Sequence, residues 1–298
     1  MTKKLIPLAM LMLAICQGCL PKAQDLLPPG TDLSEPEVPD LFSDFEVAID
    51  SPGARLYQNG VDYVQAIDLS LGASIRFLNG RVSDPGQGKG VYGGNDPKLL
   101  RQKIEEAWTK FSQTSEDSFC IANGQFFRND SAKATTLAFP IKADGKILTD
   151  GYAGENEYAQ EKMMLEVWSD RAKIKAFEPN SFYASDAPNI IVGLKQDADK
   201  GIVNETGRTF IGLKDENFDG NKETVLIFTS ESASQPHAAE VLRYFGASEI
   251  IMLDGGGSTQ LICQGNSYVN SPRTIPQMIG VDSAPSNSTS ASGSLSEP

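Results

Sequence analysis

Between Phe45 and Ser283 the chain is dominated by short stretches in which apolar and polar residues alternate, each closed off by Gly, Asp or Asn. Gly60–Ser70, Ala73–Gly80, Leu137–Thr149, Lys162–Phe177 and Arg208–Thr229 all follow this pattern. A period of two puts successive side chains on opposite faces of a strand, so these stretches predict hairpins. The pairs Asp144-Gly145 and Asp219-Gly220 mark their turns.

Two stretches follow a helical period instead. Asp96 to Ser112 opens on Asp96-Pro97 and places Leu99, Leu100, Ile104, Ala107, Trp108 and Phe111 along one face. Gln235 to Phe245 carries Pro236 near its start and is followed by Gly246. Each runs into an apolar strand, Ser118–Ala122 and Glu249–Leu253. The expected fold is α+β, a mixed α/β arrangement with a hairpin-rich mixed sheet and two main helix-strand units.

The ends read differently. Lys3 and Lys4 precede an apolar run from Leu5 to Ile15, which predicts a signal peptide over 1–18, too short for a membrane span. Gly18 before Cys19 resembles a bacterial lipoprotein cleavage site, with plain secretion as the other reading. Residues 19–44 hold Pro21, Pro28, Pro29, Pro36 and Pro39 among acids and read as a flexible tether. Residues 284–298 read as a disordered polar tail, leaving 45–283 as the folded domain. The expected location is the bacterial cell envelope, with a lipid-anchored attachment to the membrane.

With 298 residues and 40% hydrophobic content the chain can bury a sizeable core. Its net charge of −13 argues against nucleic acid or an anionic surface as partner, though not against one local basic pocket. Cys120 and Cys263 remain after Cys16 and Cys19, and are read either as a disulfide formed on export or as two buried thiols.

Candidate chemistry begins where the strand Ile250–Leu253 ends on Asp254, followed by Gly255, Gly256, Gly257 and Ser258. A carboxylate at a strand end beside glycine amides can meet a phosphate-like oxygen, whereas the plainer reading is a turn capped by Asp254. Asn123-Gly124 likewise ends a strand and precedes Phe126 and Phe127, either an apolar wall for a ring or core aromatics. Arg208-Thr209 opens a hairpin strand, and an arginine there is either a two-pronged phosphate ligand or a solvated side chain.

Asn123-Gly124-Gln125-Phe126-Phe127, Arg208-Thr209-Phe210-Ile211-Gly212 and Leu253 to Ser258, in this order, resemble the phosphodiester glycosidase family. The likeness extends to Pro236–Ala247 and Pro272–Pro276. Gln125 and Thr274 depart from the family pattern, and Phe228-Thr229-Ser230-Glu231 stands where many relatives carry Val-Asp-Gly-Arg. The resemblance implies hydrolysis of a sugar C1–O bond to a phosphodiester. Asp254, Asn123, Arg208 and Glu231 are its implied catalytic residues, with Asp150 as another second acid. Gly124, Phe127, Thr209, Gly255, Gly256, Gly257, Ser258 and Arg273 are implied to bind substrate or phosphate. The partners are a carbohydrate or sugar-phosphate substrate and the membrane, and the alternative is a non-catalytic glycan-binding or envelope-assembly lipoprotein.

Other signals point elsewhere. The lone His237 lies in the first turn of the second helix, which favours a helix-end role over general-base catalysis. Asp215, Asn217 and Asp219, followed by Gly220, have the spacing of a calcium loop, but Leu226 occupies the twelfth position. A polar hairpin turn is the favoured reading and Ca2+ the other. No other cofactor is expected.

Overall fold

The computed structural model describes residues 44–285. The predicted signal peptide, Cys19, nearly all of the tether and all but the start of the tail lie outside the described residues. No helix among the described residues is long and apolar enough to cross a membrane.

The alternating stretches form three sheets. The largest, of eleven strands, runs from an edge at Glu46–Ser51 through Ala54–Asn59, Asp62–Asp68, Thr224–Ala233, Thr206–Lys214, Glu249–Met252, Asn189–Lys195 and Lys162–Val167 to Ala172–Ala176. The hairpin of Ile141–Ala143 with Lys146–Thr149 attaches to Asn189–Lys195. A five-stranded sheet takes the order Asn266–Val269, Leu261–Cys263, Ser118–Asn123, Gln277–Asp282, Ser74–Asn79. A small third sheet pairs Val82–Asp84, Lys98–Leu100 and Ala134–Thr135.

The central strands of the large sheet are buried on both faces. Ile67, Ile211, Val225 and Ile251 face a core shared with Ile121, Leu261 and Ile279 of the second sheet. Phe210, Phe228, Val192 and Met252 point the other way, onto Val241 and Leu242. Those two belong to the helix Gln235–Tyr244, capped by Ser234 at its start and by Phe245 at its end, with Gly246 following at φ +96°.

Three expectations change. Every strand ladder among the described residues is antiparallel, so the sheet is not mixed. The helix Gln235–Tyr244 joins Thr224–Ala233 to Glu249–Met252, and both pair antiparallel with Thr206–Lys214 between them. A crossover that skips one strand connects two strands of the same direction without making them neighbours, a distinction that helix-strand order does not reveal.

The first helix spans only Ile104–Ser112. Leu99 is buried in a strand, paired with Val82 and Thr135, so tertiary pairing overrides the helical spacing before Ile104. Asp144-Gly145 is a tight turn, with φ +48° and +75°, whereas Asp219-Gly220 sits inside a longer loop between Lys214 and Thr224. A short helix, Pro179–Ala184, has no counterpart in the sequence reading.

Cys120 and Cys263 are directly opposite each other on paired strands and form a disulfide. It ties the strand leading to Asn123 to the strand that follows the glycine turn.

Candidate active site

Asp254 leaves its strand with both backbone polar groups held. Its N–H donates to the Gly124 carbonyl at 3.0 Å, and its C=O accepts from the Asn123 side-chain amide at 2.7 Å. The Asn123 Oδ1 in turn accepts from the Thr209 hydroxyl at 2.8 Å and the Gln260 N–H at 3.2 Å. Asn123 and Thr209 are buried, and their bonds run inward. They hold the backbone that carries the carboxyl, while the carboxyl itself faces a cavity.

The glycines let this turn close. A Cβ on Gly255 would stand 2.6 Å from the Gly207 carbonyl oxygen, so only glycine permits this approach. Gly256–Ser258 forms a 3-10 turn in which the Ser258 N–H donates to the Gly255 carbonyl, so that amide is not available for phosphate. Ser271 anchors the next segment, donating from its hydroxyl to the Gly257 carbonyl and accepting from the Arg273 N–H.

The cavity measures about 230 Å³, and Asp254 and Arg273 share it with Phe126, Phe127, Phe139, Tyr152, Tyr158, Glu157 and Lys200. Aromatic walls of this kind suit the apolar face of a sugar ring. Two guanidinium groups lie over the Phe127 ring, Arg101 at 4.9 Å and Arg273 at 5.0 Å from its centre. Arg128 stacks on Tyr152 at 4.1 Å, and the Lys200 ammonium lies 5.4 Å from Phe126 and 5.3 Å from Tyr158. Positive charge is thus gathered around one cavity of a strongly acidic chain.

Burial pushes the Asp254 carboxyl up to about 6, against the Ser258 hydroxyl and Gly255 amide and the charges of Arg273 and Lys200. A carboxyl in that range can exchange protons near neutral pH.

A family model described as phosphodiester glycosidase matches residues 79–282. The chain belongs to the phosphodiester glycosidase family. Its fold resembles the catalytic domain of zebrafish N-acetylglucosamine-1-phosphodiester alpha-N-acetylglucosaminidase, auto-inhibited by a pro-peptide in that structure. The TM-score is 0.50, with 15% identity over 80% of this chain and 81% of that one. A hypothetical protein from Synechocystis aligns at TM-score 0.44 and 12% identity, over 80% of this chain and 61% of that one. Comparison with curated proteins gave no match.

Within this member of the family, several sequence-predicted residues lie away from the cavity. Arg208 is buried, and its guanidinium donates to the carbonyls of Ala233, Lys200, Gly201 and Asn204. Its donors are spent on protein carbonyls, so the expected phosphate contact gives way to an internal one. Glu231 is exposed on the strand Thr224–Ala233, outside the cavity lining, while Thr229 beside it is buried opposite Thr209. Asp150 is buried, accepting from the Tyr183 hydroxyl at 2.5 Å and the Gly94 N–H at 2.6 Å. It anchors the loop through Gly94.

The carboxyl that does share the cavity with Asp254 is Glu157, which the sequence reading missed. Glu157, Tyr152, Tyr158 and Lys200 sit on irregular segments with no periodic signal. Their one sequence cue is the cluster of Tyr152, Glu155, Glu157 and Tyr158 in a short polar stretch.

Two other features are separate from this site. A larger open groove of about 520 Å³ runs past Asp50, Arg55, Tyr57, Asp68 and Glu216. It contains none of the residues around Asp254, and Arg55 there is already paired with Asp50. In the loop after Lys214, Asp215, Asp219 and Glu223 have ligand atoms within 4.8 Å of one another, and the Asn217 side-chain oxygen accepts from the Asp219 N–H. Asp215 accepts from the N–H groups of Asp219 and Gly220 and pairs with Lys222, so its oxygens serve the loop. This donor set is a poor fit to Ca2+, which prefers several oxygens free of a competing ammonium.

Proposed function

We propose that this chain hydrolyses the sugar C1–O bond of sugar-1-phosphodiesters or related anionic glycans, using the cavity over Asp254. The observation that carries this reading is a carboxyl raised to about 6, set between aromatic walls and beside Arg273 and Lys200.

A phosphomonoester leaves readily, so the chief demands are to activate water, to stabilise positive charge at the sugar carbon and to hold the phosphate. Asp254 serves the first two as base and electrostatic stabiliser. Arg273 holds phosphate from one side chain, and Phe126, Phe127 and Tyr152 bound the sugar. Glu157, as the second carboxyl lining the cavity, takes the place expected of Glu231 or Asp150. In this reading Asn123 and Thr209 act through the Asp254 backbone, without touching substrate.

The wild-type protein and Asp254→Asn, assayed on a panel of sugar-1-phosphodiesters, test the reading. Wild type should release free sugar and the variant little, and equal release would overturn it. The non-catalytic alternative predicts sugar-phosphate binding in both and turnover in neither. The altered Thr229–Glu231 segment lends that alternative little support, because neither Thr229 nor Glu231 lines the cavity.

The proposed setting is the bacterial envelope, with the domain held to the membrane by lipid on Cys19. Palmitate labelling that disappears in Cys19→Ala tests the anchor.

A further inference from the structure

The cations of this protein differ in how their charge is balanced. Arg76 pairs with Asp282, Arg101 with Asp130 and Lys175 with Glu166. Lys200 and Arg273 face the cavity without such a pair among the described residues. Arg273 bonds the Asn129 side-chain oxygen, and the Lys200 ammonium donates to the Tyr158 hydroxyl at 3.1 Å. An ammonium has three donors, so that bond leaves Lys200 with donors to offer a ligand.

The backbone under Lys200 is held at both ends. Its N–H donates to Gln235 Oε1 at 3.2 Å, and its C=O accepts from Arg208 at 3.1 Å. Arg208 also takes the Gly201 and Asn204 carbonyls, at 2.6 and 3.0 Å, gathering the whole turn around one guanidinium. Burying a charge without a carboxylate partner is unfavourable, and burial does disfavour the charged form of Arg208. What the arrangement gains is a fixed position for residues 200–204.

The partner of Lys200 is also held under constraint. Tyr158 has φ +53°, a region that side-chain-bearing residues seldom occupy. Its segment is gathered by a second buried cation, Lys162, which donates to the Gly154 and Glu157 carbonyls at 2.6 and 2.7 Å. Two internal cations thus shape the two loops that bring Lys200, Tyr158 and Glu157 to the cavity.

We propose that Lys200 is a specificity-determining residue that binds the phosphoryl oxygens of the substrate together with Arg273, and that Arg208 is its positioning residue. This rests on the reading of the cavity as an anionic-glycan site. Phosphate is recognised by an ammonium and a guanidinium converging on its oxygens. Arg208 contributes at a distance, by fixing the turn that aims the ammonium.

The test uses the full chain with two readouts, steady-state kinetics on the best phosphodiester of the panel and inorganic phosphate binding by calorimetry. Lys200→Ala should raise KM and the phosphate Kd by about tenfold or more while changing kcat far less, and Lys200→Arg should recover most of the loss. Arg208→Lys should raise KM in the same way. Combined with Lys200→Ala it should add no further rise, as expected of two residues acting through one contact. A purely structural Arg208 would instead lower the melting temperature and the active fraction without moving KM.

Unchanged KM and phosphate Kd in Lys200→Ala overturn the proposal. If wild type hydrolyses nothing on the panel, the hydrolase reading fails. Phosphate binding then decides alone, its loss in Lys200→Ala supporting the assignment and its persistence refuting it.

Discussion

The Asn123 side-chain amide donates to the backbone carbonyl of Asp254 across 2.7 Å, joining the end of one sheet's strand to the end of another's. The candidate catalytic carboxyl therefore sits where the two sheets are pinned together, and its backbone is held by a buried side-chain amide.

Asn123→Ala removes that amide and leaves the Thr209 hydroxyl and the Gln260 N–H without their acceptor in the interior. The expected loss is about 1–3 kcal/mol of stability, together with a fall in kcat, because Asp254 is no longer held. Chemical denaturation and steady-state kinetics measure both. A variant of normal stability and normal kcat would show that Asn123 does not position Asp254.

Asp254 predicts the pH dependence. A folded-state carboxyl near 6 binds a proton more tightly than its unfolded counterpart at 3.8, so the folded state loses stability as pH rises between these values. Asp254→Asn should remove this penalty and stabilise the protein at pH 7.5 by up to about 3 kcal/mol, with little effect at pH 4. With Asp254 acting as base, wild-type kcat/KM should rise through an apparent pKa near 6. Thermal melts and pH-rate profiles follow the two effects.

His237 gives a dependence of the same sign by a different route. Its Nε2 lies 2.6 Å from Asp62, and that bond raises the imidazole above its ordinary 6.5. The pair's contribution is complete below 6.5 and is lost as pH rises through the folded-state value. Because the His237 side chain is 39% exposed, His237→Gln should cost only about 0.5–1 kcal/mol at pH 5.5 and less at pH 9. Melting curves at the two pH values should show this narrowing difference.

The glycine turn and the disulfide predict losses of different kinds. Gly255→Ala puts a methyl 2.6 Å from the Gly207 carbonyl, so it should displace Asp254 and depress kcat more than it lowers melting temperature. Replacing Cys120 and Cys263 together by Ser opens a loop of 143 residues and should cost about 2–5 kcal/mol in denaturant titrations.

The sequence was legible where chemistry and backbone geometry coincide. Asp254 before three glycines and Phe127 after Asn123-Gly124 each admitted a plain structural reading, and it was their joint resemblance to the family motifs that singled them out. Arg208 shows the limit, since a guanidinium suits a phosphate and a ring of carbonyls equally well, and only the tertiary structure says which it meets. Lys200 and Glu157 were invisible because ordinary charged residues in polar loops become special only through what the fold brings beside them. Leu99 was misread because its spacing suits a helix while its partners, Val82 and Thr135, come from distant parts of the chain.

Arg208 and Lys162 hold their loops by carbonyl oxygens, a group every residue possesses whatever its side chain. Side chains at positions 157, 158 and 200 can therefore be exchanged without removing the bonds that shape the loops. Substrate preference can drift by replacement at these tips while the sheets, the disulfide and the Asp254 turn stay as they are. On the proposed function, laboratory selection for a new sugar phosphate should begin with Tyr158, which is neither the second carboxyl nor the phosphate ligand.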